Sequence, residues 1–196
     1  MQDISDMIRK SNIFLFCAIL ILAGALCTSC DDDILPYKSV KYDLDYSITG
    51  NIFLITDIED EITNLAREYN DDVILTQVIY SFESAAMGDV TFKFCKEYIE
   101  NGKYREVLIT MYADMDSGVI YEANYEEGSS KRVMPGYLNQ INRKDENAQK
   151  IYTEVLDDDK FQKQNNLAFV NISFGGSDVV VRGYDENDNM IFDGEY

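Results

Sequence analysis

Eight short runs rich in Val, Ile, Tyr and Phe and bounded by turn residues place the strongest constraint on what this chain can fold into, and in the runs at 39–48 and 90–98 apolar and polar residues alternate. Such alternation puts the apolar side chains on one face of an extended segment, which is the pattern of a half-buried β-strand. Turn residues separate the runs, among them Asn101-Gly102, a dipeptide typical of tight hairpins. The predicted strands cover 39–48, 73–82, 90–98, 104–112, 118–125, 167–174, 179–184 and 190–196.

Two other segments have the 3.6-residue period of an amphipathic helix. The first begins with Thr56 and Glu59 in the spacing of a capping box, and its apolar face comprises Ile58, Ile62, Leu65, Ala66 and Tyr69. The second is predicted from about Tyr137 to Leu156, and its polar middle at 142–147 predicts a break.

The element order is therefore strand, helix, four strands, helix, three strands. This order predicts an α+β fold with antiparallel sheet and two helices. Two layouts stay open: one larger sheet carrying both helices, or two helix-then-meander units divided near 126–136. In element order alone the second layout resembles the cystatin-like and PepSY-like small domains of envelope proteins.

Histidine is absent from all 196 residues, which excludes several classes of active site. Ser-His and Cys-His dyads and His-ligated zinc all require it. Cys95 lies in a predicted strand and is expected to be a half-buried core thiol. We therefore expect no cofactor, no metal site and no catalytic residue, and hence a protein that is not an enzyme.

The chain has a formal net charge of −19, and this charge limits its partners. Such a negative field repels phosphate backbones, so nucleic-acid binding is not expected.

Tyrosine is abundant, at 14 residues, and Tyr121 and Tyr125 are predicted to share one strand face. Sheet packing is the expected use of these rings, and a sugar or protein platform is the alternative.

Three acidic patterns are candidate sites. Asp185–Asn189 and Asp114–Gly118 place oxygen side chains as calcium loops do, but both lack the full ligand spacing and are predicted to be turns. Paired carboxylates are the groups that glycoside hydrolases use. Among so many acidic residues, the sequence singles out no such pair.

The N-terminus has the layout of a secretory leader, predicted to be residues 1–29. Arg9 and Lys10 are followed by an apolar run from Ile13 to Leu26, which is shorter than the roughly 20 residues of a membrane-spanning helix. Thr28-Ser29-Cys30 follows, and this segment resembles a bacterial lipobox. The resemblance implies cleavage before Cys30 and diacylglycerol on its sulfur; an ordinary secreted protein is the alternative.

Asp31, Asp32 and Asp33 follow the predicted lipidated cysteine directly. This pattern is similar to the export signal of surface lipoproteins in Bacteroidota, and residues 30–37 are predicted to be an acidic tether. The resemblance implies an outer-membrane protein held at the cell surface by its lipid, with a periplasmic orientation as the alternative.

For the domain at 38–196 we expect a non-catalytic binding module for a protein or glycan. The alternatives are a carboxylate-dependent glycan hydrolase and a protein inhibitor or envelope assembly factor.

Overall fold

The computed structural model describes residues 38–83, 87–129, 140–158 and 166–196. In these residues the element order is the predicted one, and all eight predicted strands are confirmed. The elements are β1 (Lys38–Ser47), α1 (Ile55–Arg67), β2 (Ile74–Glu83), β3 (Asp89–Glu100), β4 (Lys103–Asp114), β5 (Val119–Ser129), α2 (Ala148–Leu156), β6 (Phe169–Gly175), β7 (Asp178–Tyr184) and β8 (Met190–Glu195).

The eight strands form one antiparallel sheet in the order β1-β5-β4-β3-β2-β6-β7-β8. Strands β2 to β5 are a meander, β1 pairs with the outer edge of β5, and β6 to β8 form a second meander. The pairing of β2 with β6 joins the two meanders. Over the described ranges the fold is therefore a single sheet carrying two helices, with more strand than a balanced α+β domain.

Both helices pack on the same face of the sheet, α1 against β2 and α2 against β6. Ile58, Ile62, Leu65 and Ala66 are buried, which confirms the predicted apolar face of α1. On the α2 side, the ring of Tyr152 stacks on Phe82 with 4.3 Å between centroids. In the described part of the chain, neither helix is long and apolar enough to cross a membrane.

The predicted capping box at the start of α1 is wrong. The helix begins at Ile55, and Leu54 occupies the N-cap position without a side-chain hydrogen bond. The Thr56 N–H instead donates to the carbonyl of Lys144 at 3.2 Å, and the Lys144 Nζ lies 2.6 Å from a Glu59 carboxylate oxygen. A segment distant in sequence thus provides the partners that a local cap would otherwise supply.

Helix α2 is shorter than predicted. It begins at Ala148, the preceding residues 140–147 are not helical, and 137–139 lie outside the described residues. The Asn147 side chain accepts a hydrogen bond from the Lys150 N–H at 3.0 Å, which is the geometry of an N-cap. The helix therefore begins directly after the polar segment 142–147, where a break was predicted.

Tyr80 is fully buried at the centre of the sheet, and its hydroxyl donates to the Ile52 carbonyl at 2.7 Å. Burial raises the pKa of this phenol above its usual value near 10. The unfolded chain therefore loses this proton at lower pH than the folded chain, so the contribution of Tyr80 to stability is complete below pH ~10 and falls as the pH rises.

We expect the wild type to lose about 1.4 kcal/mol more stability than Tyr80→Phe between pH 8 and pH 11, because only the wild type carries this phenol. Urea unfolding at the two pH values measures the difference. Equal losses in both proteins would contradict the prediction.

Candidate functional site

The face of the sheet opposite the helices, here called the open face, carries the strongest candidate site. Because side chains alternate along each strand, the register defines which residues share this face. Apart from buried Cys95, its side chains are polar or partly exposed, whereas the helix-bearing face holds the core.

A continuous row of polar residues crosses the open face from β4 to β8. Each neighbouring pair in this row is matched in the strand register. The row, called the polar row below, consists of Asp114, Asp89, Ser81, Asn171, Arg182 and Asp193. At its β8 end, the Arg182 Nε lies 3.1 Å from an Asp193 carboxylate oxygen, so these two side chains are paired.

Two aromatic pairs flank the polar row on the open face. Tyr112 and Tyr121 stack with centroids 6.4 Å apart at β4 and β5, and Tyr121 is 40% exposed. Phe169 and Tyr184 stack with centroids 4.8 Å apart at β6 and β7. The two pairs lie on opposite sides of β3 and β2, so they bracket the centre of the sheet.

A break in register between β4 and β5 places Tyr121 on this face. Tyr112 pairs with Glu122 and the next residue, Ala113, with Ile120, so Tyr121 is the extra residue of a β-bulge. Tyr125, beyond the bulge, pairs with buried Ile109 and lies on the helix-bearing face. The prediction that Tyr121 and Tyr125 share a face is therefore wrong, because a bulge reverses the alternation.

Two carboxyl groups of the polar row, Asp89 and Asp114, have perturbed pKa values. Partial burial raises the pKa of Asp89, the neighbouring Asp114 and Glu83 carboxylates raise it further, and a hydrogen bond with the Tyr121 hydroxyl opposes them. The pKa of Asp114 is lowered, since its carboxylate accepts hydrogen bonds from the Ser117 hydroxyl and N–H. The pKa values of two neighbouring carboxyl groups are thus shifted in opposite directions.

A shallow cavity of about 490 Å³ adjoins the polar row on the β6 side. Ser81 and Glu83 of β2 line one wall, Phe169 of β6 lines another, and Asp185 and Glu186 close the far side. The cavity therefore offers an aromatic ring, a hydroxyl and carboxylates to a small polar group.

The predicted functional residues of the N-terminus, Cys30, Asp31, Asp32 and Asp33, lie outside the described residues. Cys95 is buried, as expected. Among the described residues, no group of three or more Cys, Asp or Glu side chains is arranged to hold a metal ion.

The two acidic loops are turns, as predicted. Asp185 accepts hydrogen bonds from the N–H groups of Asn187 and Asn189, each at 2.9 Å. Asp114 does the same for Ser117 at 2.7 Å. Both carboxylates accept hydrogen bonds from backbone N–H groups of their own turns, which is the usual role of Asp in such turns.

Apart from Tyr121 and Asp114, the open-face residues carry no sequence motif that indicates a site. Strand alternation could have grouped neighbours along one strand, but the polar row is formed by pairing between strands as distant in sequence as β2 and β6. Turn signals indicated that consecutive strands such as β3 and β4 would be neighbours, but no local signal indicated the pairing of β2 with β6.

Comparison with known proteins gives no family. No protein-family model matches the chain, and no curated protein matches it. Among solved structures, it aligns with the 12:0-ACP thioesterase from Umbellularia californica at 7% identity and a TM-score of 0.17, over 76% of this chain and 87% of that one. A TM-score this low carries no argument about fold or function.

Proposed function

We propose that this chain is a lipid-anchored cell-envelope protein whose open face is a non-catalytic binding surface. Cys30 carries the lipid, Asp31 to Asp33 direct export to the outer surface of the outer membrane, and the domain at 38–196 binds a protein or glycan. The observation that supports a binding role is the open face itself: a sheet face on which no helix of the described residues packs, bearing two aromatic pairs around a polar row.

Protease shaving of intact cells tests the anchor and its orientation. The lipidated wild type is expected to remain with the membrane fraction and to be digested on intact cells, because several acyl chains on one residue give stable anchoring. The Cys30→Ala variant is expected to leave the membrane fraction, and lysed cells serve as the control for protease access.

Two outcomes would contradict parts of this proposal. Protection of the wild type until lysis would place the domain in the periplasm, with Asp31 to Asp33 acting only as a tether. Equal membrane retention of Cys30→Ala would exclude lipidation at Cys30.

A carboxylate-dependent glycan hydrolase is the second candidate. The opposite pKa shifts of Asp89 and Asp114 favour it, because a general acid and its partner carboxylate need different pKa values. Against it, Asp114 is bound to Ser117 and Asp89 is exposed rather than enclosed in a cleft. Release of reducing ends from a polysaccharide by the wild type, but not by Asp89→Asn, would establish the enzyme.

A protein inhibitor or assembly factor is less favoured. Such a protein would present one broad apolar patch to its partner. The polar row separates the two aromatic pairs of the open face, so the rings do not merge into such a patch.

We also infer that the sheet is built from two cystatin-like or PepSY-like units. What supports this inference is the layout: α1 with its meander and α2 with its meander meet through β2 and β6, and Leu54 and Asn147 pair just before the two helices. Halves that superpose helix on helix and strand on strand in a crystal structure would support the inference, and halves that do not would exclude it.

A further inference from the structure

We infer that the open face binds a neutral oligosaccharide that lies across the strands along the polar row. This inference rests on the proposed role of the open face as a binding surface, and it names the class of ligand.

The spacing of the aromatic pairs suits an extended ligand. Four strand spacings separate the middle of the Tyr112–Tyr121 pair from the middle of the Phe169–Tyr184 pair. At ~4.8 Å per spacing the separation across the strands is about 19 Å. Tyr112 is in register with Ser173, four residues from Phe169 along β6, so the pairs are also offset by about 13 Å along the strands and lie about 23 Å apart. A single sugar ring cannot contact both pairs, whereas a short oligosaccharide can stack one ring on each.

The polar row supplies hydrogen-bonding groups between the two aromatic pairs. Asp89 offers carboxylate oxygens, and Ser81 offers a hydroxyl. The Oδ1 atom of Asn171 is shielded from solvent and has no hydrogen-bond partner among the described residues. An unsatisfied buried acceptor costs free energy, so a sugar hydroxyl that donates to it would relieve that cost.

The negative charge of the open face limits which glycans can bind there. Acidic side chains outnumber basic ones on the open face: Glu122, Asp89, Asp114, Glu83, Asp193 and Glu195 lie there with Lys41, Lys93 and Arg182. Lys41 is paired with Glu122 and Arg182 with Asp193, and the whole chain has a net charge of −19. Acidic polysaccharides would be repelled by this field. A neutral glycan has no such penalty, and its hydroxyl groups donate to carboxylates.

A protein partner fits this face less well. The centres of protein interfaces are depleted in charged residues. Here the centre of the open face holds the Asp89 and Asp114 carboxylates, and the aromatic rings lie to either side. The order of groups across the sheet, aromatic then polar then aromatic, matches a chain of sugar rings better than an apolar protein surface.

Affinity electrophoresis of the full lipidated chain in detergent, through native gels containing mannan, starch, xylan or a neutral β-glucan, tests the inference. We expect at least one of these polysaccharides to retard the wild type. We expect Tyr121→Ala and Tyr184→Ala each to weaken binding about tenfold, through loss of one stacking surface. Tyr121→Phe keeps the ring and loses the hydrogen bond to Asp89, so its loss is expected to be smaller.

Tyr46→Ala is the matched control. Tyr46 is 36% exposed, close to the exposure of Tyr121, but it lies on the helix-bearing face with its hydroxyl donating to Glu61. Its removal is expected to leave retardation unchanged. Equal loss of binding in Tyr46→Ala and Tyr121→Ala would overturn the assignment to the open face.

Other outcomes separate this inference from the proposed function. Migration unaffected by all four neutral polysaccharides would overturn it. Binding of poly-lysine that Asp89→Asn weakens, without binding of neutral glycans, would also overturn it and would leave a binding module for a cationic peptide. The protease-shaving result does not depend on the ligand, so failure of the anchor is recognised separately.

Discussion

The substitution Phe174→Ala is expected to lower the free energy of unfolding by about 3–5 kcal/mol, a large part of the roughly 5–15 kcal/mol of a typical domain. Phe174 is fully buried on β6, pairs in register with Val78 of β2, and meets the ring of Tyr80 edge-on with centroids 5.8 Å apart. These contacts lie at the junction of the two meanders. Truncation removes the transfer free energy of the ring and leaves a cavity there.

Phe169→Ala is the matched control for this prediction. Phe169 is the same residue type on the same strand, but it lies on the open face and stacks only on Tyr184 among the described aromatic residues. Its loss is expected to cost no more than about 1.5 kcal/mol. Urea unfolding followed by circular dichroism measures both variants, and equal costs would contradict the assignment of the two faces.

The substitution Gly50→Ala is expected to destabilise the protein by about 1–3 kcal/mol. A Cβ at this position would lie 2.6 Å from the Asp57 carbonyl oxygen and 2.9 Å from a methyl of Ile58. The first of these atoms belongs to the backbone of α1, so relief requires a shift of the helix that carries the core residues Ile58 and Ile62.

Gly175→Ala is the control for Gly50→Ala. At Gly175 the nearest atoms to an added Cβ are 3.9 Å away, which is ordinary contact. The substitution also restricts the unfolded chain, so we expect a change between zero and a gain of about 1 kcal/mol. Thermal unfolding of both variants gives the comparison, and a loss at Gly175 as large as that at Gly50 would show that close packing against α1 is not the cause.

The strands were predictable because their signals are local. Alternation along the chain and turn dipeptides fix where an extended segment begins and ends, and Asn101 and Gly102 do adopt the positive φ angles of 51° and 77° that a tight hairpin requires. The apolar face of α1 was predictable for the same reason, since its period is contained in 13 residues.

The helix starts were less predictable. Thr56 and Glu59 have the spacing of a capping box, but Lys144 provides partners for both and the local motif is not used. The sequence did not indicate the bulge at Tyr121 either, because a bulge is defined by how its residues pair with β4. In each case a contact between distant segments outweighs a local preference.

By itself the sequence determined the class of elements, their order and the chemistry that the chain lacks, because periodicity and composition are properties of neighbouring residues. It also carries the prediction of the lipid anchor at Cys30, which depends on a short local motif. The tertiary structure decided that β2 pairs with β6, and hence that there is one sheet with one open face. Only through that pairing is the polar row continuous and do the two aromatic pairs lie on the same sheet face, since no local pattern indicated that β2 and β6 would be neighbours.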